Sequence, residues 1–173
     1  VDDIIHEVAH AAEEAYGFDI YSDSSVKKEF LQKRIRLRDE LSSLGYKIPK
    51  SFFSDVEYSE EFDNFLLNTV GYDKLNVICV GMFINAYAPT SLREYFATGF
   101  TDFYMRPDDR SALKSVSPVL YKKIFELNSF ILYLFNIVGF IFLYIESKYI
   151  FIVLFHLIYY IFYLFVLELF FHF

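Results

Sequence analysis

The sequence predicts a mostly α-helical domain over residues 1–127, followed by an apolar helical tail over residues 128–173. In the domain, apolar residues recur at helical spacing between residues that typically start and end helices. The tail contains formal charges only at Glu146, Lys148 and Glu168, within long runs of aromatic and branched residues. We therefore expect one folded unit with an appendage. Any sheet that this unit requires is expected to precede residue 1.

Serine or aspartate at helix starts and glycine at helix ends divide the first part of the domain. Asp and Ser side chains accept hydrogen bonds from the free N–H groups in the first turn of a helix. Glycine readily adopts the left-handed backbone conformation that ends the last turn. These signals predict three helices, which run from Asp2 or Asp3 to Gly17, from Ser24 or Ser25 to Gly45, and from Ser59 to Gly71. The second helix contains VKKEFLQKRIRLRDEL, a basic run whose interleaved acids indicate a solvated face.

Shorter helices are predicted for the rest of the domain. The segment after Gly71 is ambiguous, because NVICV has strand propensity while its apolar residues follow helical spacing; we favour a helix from Asp73 to about Met82. Proline and serine signals predict the remaining helices, which lie from Thr90 or Ser91 to before Pro107, within DDRSALKS, and from Pro118 onward with Ser117 as its cap.

Charge and cysteine content exclude some classes of function. The chain has a net charge of −7, and nearly all of its charged side chains precede the tail. Nucleic-acid binding requires a basic face, so no nucleic-acid partner is predicted. The single cysteine, Cys79, excludes an internal disulfide, and its apolar neighbours in NVICVGMF predict a buried structural thiol.

The tail contains two apolar runs, residues 129–145 and 149–167, separated by Glu-Ser-Lys. Each run is near the length that spans a bilayer, so one interpretation is a membrane hairpin or anchor over residues 129–167. The three-residue connection is very short, and small residues and Trp, which membrane helices favour, are almost absent. The other interpretation is therefore a misread or frameshifted C-terminus, since A/T-rich DNA encodes mainly these residue types.

HEVAH at residues 6–10 has the spacing of a zinc-binding helix. Zinc prefers neutral imidazole nitrogens and a carboxylate, and a catalytic site leaves one position open for water. On a helix, His6 and His10 lie one turn apart on the same face. Glu7 projects roughly 100° round from His6, so it can reach a water molecule without binding the metal.

The sequence offers local candidates for a third ligand, Glu13 or Glu14, and a distant one, Glu94. Glu13 shares the histidine face, but it lies about 10 Å along the helix from His6 and would have to fold back. Glu94, in NAYAPTSLREYFATGF, lies one turn into a predicted helix, where it is either a ligand or the acidic member of a capping box that begins at Ser91. Tyr87 precedes Glu94 by seven residues, in a predicted loop. His156 and His172 have no partners at ligand spacing.

These motifs resemble those of the metallopeptidase domains of the anthrax lethal factor family. The resemblance is carried by His-Glu-x-x-His at 6–10 and by Tyr-x6-Glu-Tyr-Phe-Ala at 87–97, and it covers residues 1–127. It implies a zincin-like α+β fold, of which these residues are the mostly helical C-terminal part, and a zinc-dependent endopeptidase that acts on a protein or peptide substrate. It also implies the following roles: zinc ligands His6, His10 and Glu94, general base Glu7, and oxyanion hydrogen-bond donor Tyr87.

Two departures from the family pattern leave a second hypothesis open. The family often has an acid one turn after the third ligand, where this chain has Thr98, and the interval from His10 to Glu94 is long. The alternative is a non-catalytic, membrane-associated or interaction protein that retains a degenerate zincin fragment. The expected localisation depends on the tail. If the tail is genuine, the protein is expected to be associated with a membrane; otherwise it is expected to be secreted or cytoplasmic.

Overall fold

A computed structural model describes residues 1–130 together with Tyr133, Ile137 and Tyr149. The chain divides into two compact units, Val1–Leu127 and Asn128–Phe173. Most of the two apolar runs lies outside the described residues, and so do His156 and His172. The two interpretations of the tail concern these same residues. In the part of the chain that is described, no helix combines the length and the apolar character needed to cross a membrane.

The first unit is built from helices. The described residues contain no β-strand, so the predicted predominance of helix in this part of the chain is confirmed. Residues Phe65–Val70 continue the third helix as a π-helix, and Lys50–Phe53 form one 3-10 turn. The α-helices, numbered in chain order, are α1 (Asp2–Tyr21), α2 (Ser25–Ser43), α3 (Glu60–Asn64), α4 (Tyr72–Ile78), α5 (Leu92–Met105), α6 (Ser111–Val116) and, within this unit, α7 (118–127).

The packing of α1 against α5 organises the unit. The two helices run in opposite directions, because Asp2 and Met105 line the same cavity while Glu13 meets Arg93 at the start of α5. The interior behind them is aromatic, and its fully buried side chains include Phe30, Leu37, Tyr95, Phe96, Phe103, Leu113 and Leu120. Burial of this apolar surface is the main stabilising contribution to the unit.

Most of the predicted boundaries are confirmed, but α1 does not end at Gly17. It continues to Tyr21 across a local distortion at Tyr16, where φ is −119° and ψ is 17°. Glycine ends a helix when it adopts a positive φ, and Gly17 is not among the positive-φ glycines of the described chain, unlike Gly45 and Gly71. The extra turn buries Ile20 in the core, which compensates for the low helix propensity of glycine.

The helix predicted from Asp73 to about Met82 is shorter than expected. It ends at Ile78, and the following turns include Gly81 with φ of +71°. The carbonyl of Cys79 accepts hydrogen bonds from the N–H groups of Met82 and Phe83, which closes the chain back on itself. Cys79 is buried as predicted, and desolvation raises the pKa of its thiol to about 12.

The prediction of a solvated basic face on α2 is wrong for Lys33 and Arg34. Lys33 Nζ donates to the carbonyl of Met82 at 2.7 Å and to that of Val116, and it is 7% exposed. Arg34 is 1% exposed, and its guanidinium lies 4.4 Å from the centre of the Phe62 ring. Burying a charged side chain costs free energy because the charge loses its hydration. Here backbone carbonyls and aromatic faces take the place of that water.

Ser117 precedes α7 and Pro118 is its first residue, as predicted, but the hydroxyl of Ser117 does not cap the helix. The N–H groups of Val119 and Leu120 both donate to the carboxylate of Glu29, at 3.0 Å each. Ser117 Oγ instead accepts a hydrogen bond from Lys33 Nζ at 3.2 Å. The cap of α7 thus comes from α2, which lies about ninety residues earlier in the chain.

Candidate metal centre

His6 and His10 lie one turn apart on the face of α1 that packs against α5. Their rings meet edge to face, with centroids 4.8 Å apart. Ala9, which lies between them in sequence, is completely buried, so this side of α1 faces the interior. Both imidazoles are partly exposed, His6 at 26% and His10 at 15%, so solvent can reach a ligand that they hold.

Glu94 brings its carboxylate between the two imidazoles from the first turn of α5. Its Oε2 lies 3.0 Å from His6 Nε2 and its Oε1 lies 3.5 Å from His10 Nε2. The backbone N–H of Glu94 donates to Ser91 Oγ at 3.1 Å, which fixes the start of the helix. The capping interpretation therefore holds for the backbone of this residue, while its side chain is directed to the histidines.

These three residues form a group that could hold a metal ion. Each residue offers one nitrogen or oxygen, and these atoms all lie within 4.8 Å of one another. In a tetrahedral site with bonds of about 2.0–2.1 Å, neighbouring donor atoms are about 3.3–3.4 Å apart. The two histidine–glutamate separations, 3.0 and 3.5 Å, involve different oxygens of Glu94, so the three donors would have to move slightly to close around one ion. Two imidazoles and one carboxylate are also a donor set typical of catalytic zinc.

Glu7 and Tyr87 are the other two residues that the sequence predicts for the site. Glu7 follows His6 directly on α1, and its side chain is exposed to solvent. Tyr87 belongs to the segment between α4 and α5, as predicted, and is 38% exposed. Its pKa is raised by desolvation first and then by the negative charge of Glu94, so the Tyr87 hydroxyl is electrostatically coupled to the group and remains protonated at neutral pH.

Local hydrogen bonds hold the backbone of Tyr87 in place. Asn85 Oδ1 accepts from the N–H groups of Tyr87 at 3.0 Å and of Ala88 at 2.8 Å, which forms an Asx turn. The carbonyl of Tyr87 then accepts from both the N–H and the Oγ1 of Thr90, which is fully buried. The phenol is thus presented from a fixed turn rather than from a free loop.

A second layer of polar side chains surrounds His10, and the sequence did not predict this arrangement. Arg93 Nε donates to His10 Nδ1 at 3.1 Å, and Glu13 Oε2 lies 3.9 Å from the same nitrogen. The hydroxyl of Tyr21 donates to Glu13 Oε1. Glu13 thus lies behind the ring of His10, on the side away from Glu94. The sequence does indicate that Glu13 is near His10, because it follows His10 by three residues on the same helix. It does not indicate that Arg93 is near, because that depends on how α5 packs.

Two cavities border the group at its two ends along α1. One, of about 460 Å³, is lined by Asp3, His6, Thr98 and Asp102 among others. The other, of about 790 Å³, begins at Glu13 and Arg93. His6 itself lines the first cavity, whereas the second is bordered by the two residues that lie behind His10.

Comparison with known proteins identifies no relative: no protein-family profile, curated protein or solved structure matches the chain.

Proposed function

We propose that residues 1–127 carry the metal site of a zinc-dependent metallopeptidase with a zincin-like fold, and that His6, His10 and Glu94 hold the ion. The observation that supports this proposal most directly is the convergence of these three side chains from two helices. The 88 residues that separate His6 from Glu94 make this meeting a product of folding rather than of sequence proximity. The spacing of Tyr87 and Glu94, which resembles that of the lethal factor family, supports the same assignment.

The residues around the site have distinct chemical roles in this proposal. A zinc ion held by His6, His10 and Glu94 would supply a Lewis acid for the peptide carbonyl and would lower the pKa of water to near neutral. Glu7, exposed beside His6, accepts the proton that the attacking water loses and passes it to the leaving amine. Tyr87 donates a hydrogen bond to the carbonyl oxygen as negative charge develops on it. The substrate is a protein or peptide.

Metal content of the purified protein tests the proposal. After dialysis against metal-free buffer, about one zinc per chain is expected by elemental analysis. Glu94→Gln should lose most of this zinc, because an amide is a poor zinc ligand. Ser91→Ala removes only the cap of α5, and Glu14→Gln removes an exposed carboxylate of α1, so both controls should retain the metal. Equal zinc in all four proteins, or none in the folded wild type, would refute the site.

Peptide hydrolysis separates the enzyme from a protein that only binds zinc. Glu7→Gln should keep the zinc of the wild type and lose hydrolysis of an unstructured protein such as casein, because it removes the base without removing a ligand. His6→Ala should lose both. If Glu7→Gln and wild type are equally inactive while both bind zinc, the non-catalytic alternative is favoured.

A further inference from the structure

The side of the His10 ring that faces away from Glu94 has two competing partners. Nδ1 accepts a hydrogen bond from Arg93 Nε at 3.1 Å. Glu13 Oε2 lies 3.9 Å from Nδ1 and 3.4 Å from Arg93 Nε. The nitrogen therefore faces a donor and an acceptor at once. Because it either carries a proton or lacks one, it can bond to only one of them.

When the His10 ring carries one proton, the position of that proton determines which partner Nδ1 bonds to. While Nδ1 accepts from Arg93, the ring proton is on Nε2, which faces Glu94 Oε1 at 3.5 Å. An ion bound through Nε2 needs the lone pair of that nitrogen, so the proton must then be on Nδ1. An Nδ1–H cannot accept from Arg93, and the nearest acceptor is Glu13.

We propose that Glu13 is the positioning residue of His10, and that Nδ1 exchanges Arg93 for Glu13 when a metal ion binds Nε2. The inference rests on the zinc site proposed above and assigns its outer layer. Arg93 holds the metal-free arrangement, and Glu13 holds the metal-bound one. The two residues therefore have opposite effects on metal affinity although they lie side by side.

Glu13 is held ready for this role, whereas Arg93 is free to leave. The side chain of Glu13 is only 13% exposed, and its Oε1 accepts the hydroxyl proton of Tyr21, which lies two turns further along α1 and points back along the helix. Burial, followed by the hydrogen bond to Glu13, raises the pKa of Tyr21, so this donor stays protonated. The side chain of Arg93 is 60% exposed and can return to solvent at little cost.

Imidazole nitrogen shifts measure the proton position directly. The full chain labelled with ¹⁵N-histidine contains four histidines, and a His10→Gln variant identifies the signals of His10. We expect the Nε2–H tautomer in metal-free protein and, after one equivalent of Zn²⁺, the Nδ1–H tautomer with Nε2 shifted by coordination. An Nδ1–H tautomer without metal, or coordination through Nδ1, would overturn the inference.

Zinc affinity of matched variants tests the opposite effects. Competition with a chelator should show a loss of about 10-fold for Glu13→Gln, which keeps a neutral acceptor, and nearer 100-fold for Glu13→Ala. Glu14→Gln, the neighbouring exposed carboxylate, should not change affinity. Arg93→Met should match or exceed the wild type. If Arg93→Met weakens zinc binding as much as Glu13→Ala does, the pair is only a static link between α1 and α5, and the exchange is disproved.

The outcomes keep this inference separate from the zinc site itself. If zinc binds and depends on Glu94 but not on Glu13, the inference fails and the site stands. If folded wild type takes up no zinc, both fail. Should Glu13→Ala not fold, the tautomer of the wild-type protein still decides, because that measurement needs no variant at Glu13.

Discussion

At the scale of single residues, the buried cation Lys33 has the clearest consequence. Its ammonium group is surrounded by carbonyls and by the rings of Phe83 and Tyr95, each 5.7 Å away. Desolvation lowers its pKa to about 8, although Glu29 opposes the shift. The folded protein therefore releases this proton at a lower pH than the unfolded chain does.

We expect Lys33 to make stability rise with pH between about pH 8 and 10.5. In that range the unfolded chain keeps a proton that the folded state has lost, so raising the pH favours the folded state. Relative to Lys33→Met, the free energy of unfolding of the wild type should increase by about 1–2 kcal/mol from pH 7 to pH 9.5. Chemical unfolding followed by circular dichroism measures this difference. Parallel pH profiles of the two proteins would contradict the prediction.

Tyr87 gives a prediction about catalysis at the same scale. Tyr87→Phe removes the hydroxyl and keeps the ring, which lies 6.4 Å from that of Tyr72. In the proposed peptidase, zinc content should not change, while kcat for peptide hydrolysis should fall about 10²–10³-fold, the usual effect of losing an oxyanion donor. Tyr58→Phe, at another exposed tyrosine, is the control. A rise in KM alone, or loss of zinc, would assign Tyr87 a different role.

At the scale of the elements, α2 joins α5 and α7 through one carboxylate. Glu29 Oε2 accepts from the hydroxyl of Tyr95 at 2.8 Å and from Leu120 N, and its Oε1 accepts from Val119 N. The negative charge lies at the positive end of α7, where it also interacts favourably with the helix dipole. The helix that carries Glu94 is thereby fixed to the rest of the unit through Tyr95.

Removal of this carboxylate should destabilise the unit more than its burial alone suggests. Glu29→Ala leaves two helix-terminal N–H groups and the buried Tyr95 hydroxyl without their acceptor, and the expected loss is about 2–3 kcal/mol. Glu40→Gln, at an exposed position of the same helix, should change stability by less than about 0.5 kcal/mol. Thermal and denaturant unfolding measure the loss of stability in each variant relative to the wild type. Similar losses in both would mean that solvent, not Glu29, satisfies these groups.

At the scale of the whole molecule, the proposed ion would link the two helices that organise the first unit. His6 and His10 belong to α1 and Glu94 to α5, so an ion held by all three couples their separation to unfolding. In the absence of metal, the same contact is a hydrogen bond of 3.0 Å between His6 and Glu94. That bond alone contributes only modestly to stability because both groups are partly solvated.

Zinc should therefore raise the thermal stability of the protein. At a free concentration about 100 times its Kd, the ion stabilises the folded state by about 2.7 kcal/mol, which corresponds to roughly 5–10 °C in Tm. Glu94→Gln should show little of this rise, and Ser91→Ala should show all of it from a lower starting Tm. Differential scanning calorimetry at several zinc concentrations makes the comparison. A Tm that does not depend on zinc in the wild type would contradict the prediction.

Much of the helical pattern was predictable because its signals are local. The capping bonds from Ser59 and Ser91 and the positive φ of Gly45 and Gly71 each depend on a few neighbouring residues, and all four lie where the sequence placed a boundary. The prediction for Gly17 is wrong because the helix continues to bury Ile20, which the sequence does not reveal. The same limit applied to Ser117, whose predicted role is taken by a distant carboxylate.

Local sequence signals are enough to predict most of the helices and the chemical types available for a site, namely two imidazoles one turn apart and a carboxylate beside its own helix cap. The tertiary structure decided that the side chain of Glu94 turns to His6 and His10, and that Glu13 and Arg93 meet behind His10. The physical reason is range. Caps and turns act over three or four residues, whereas these contacts depend on the packing of helices more than eighty residues apart.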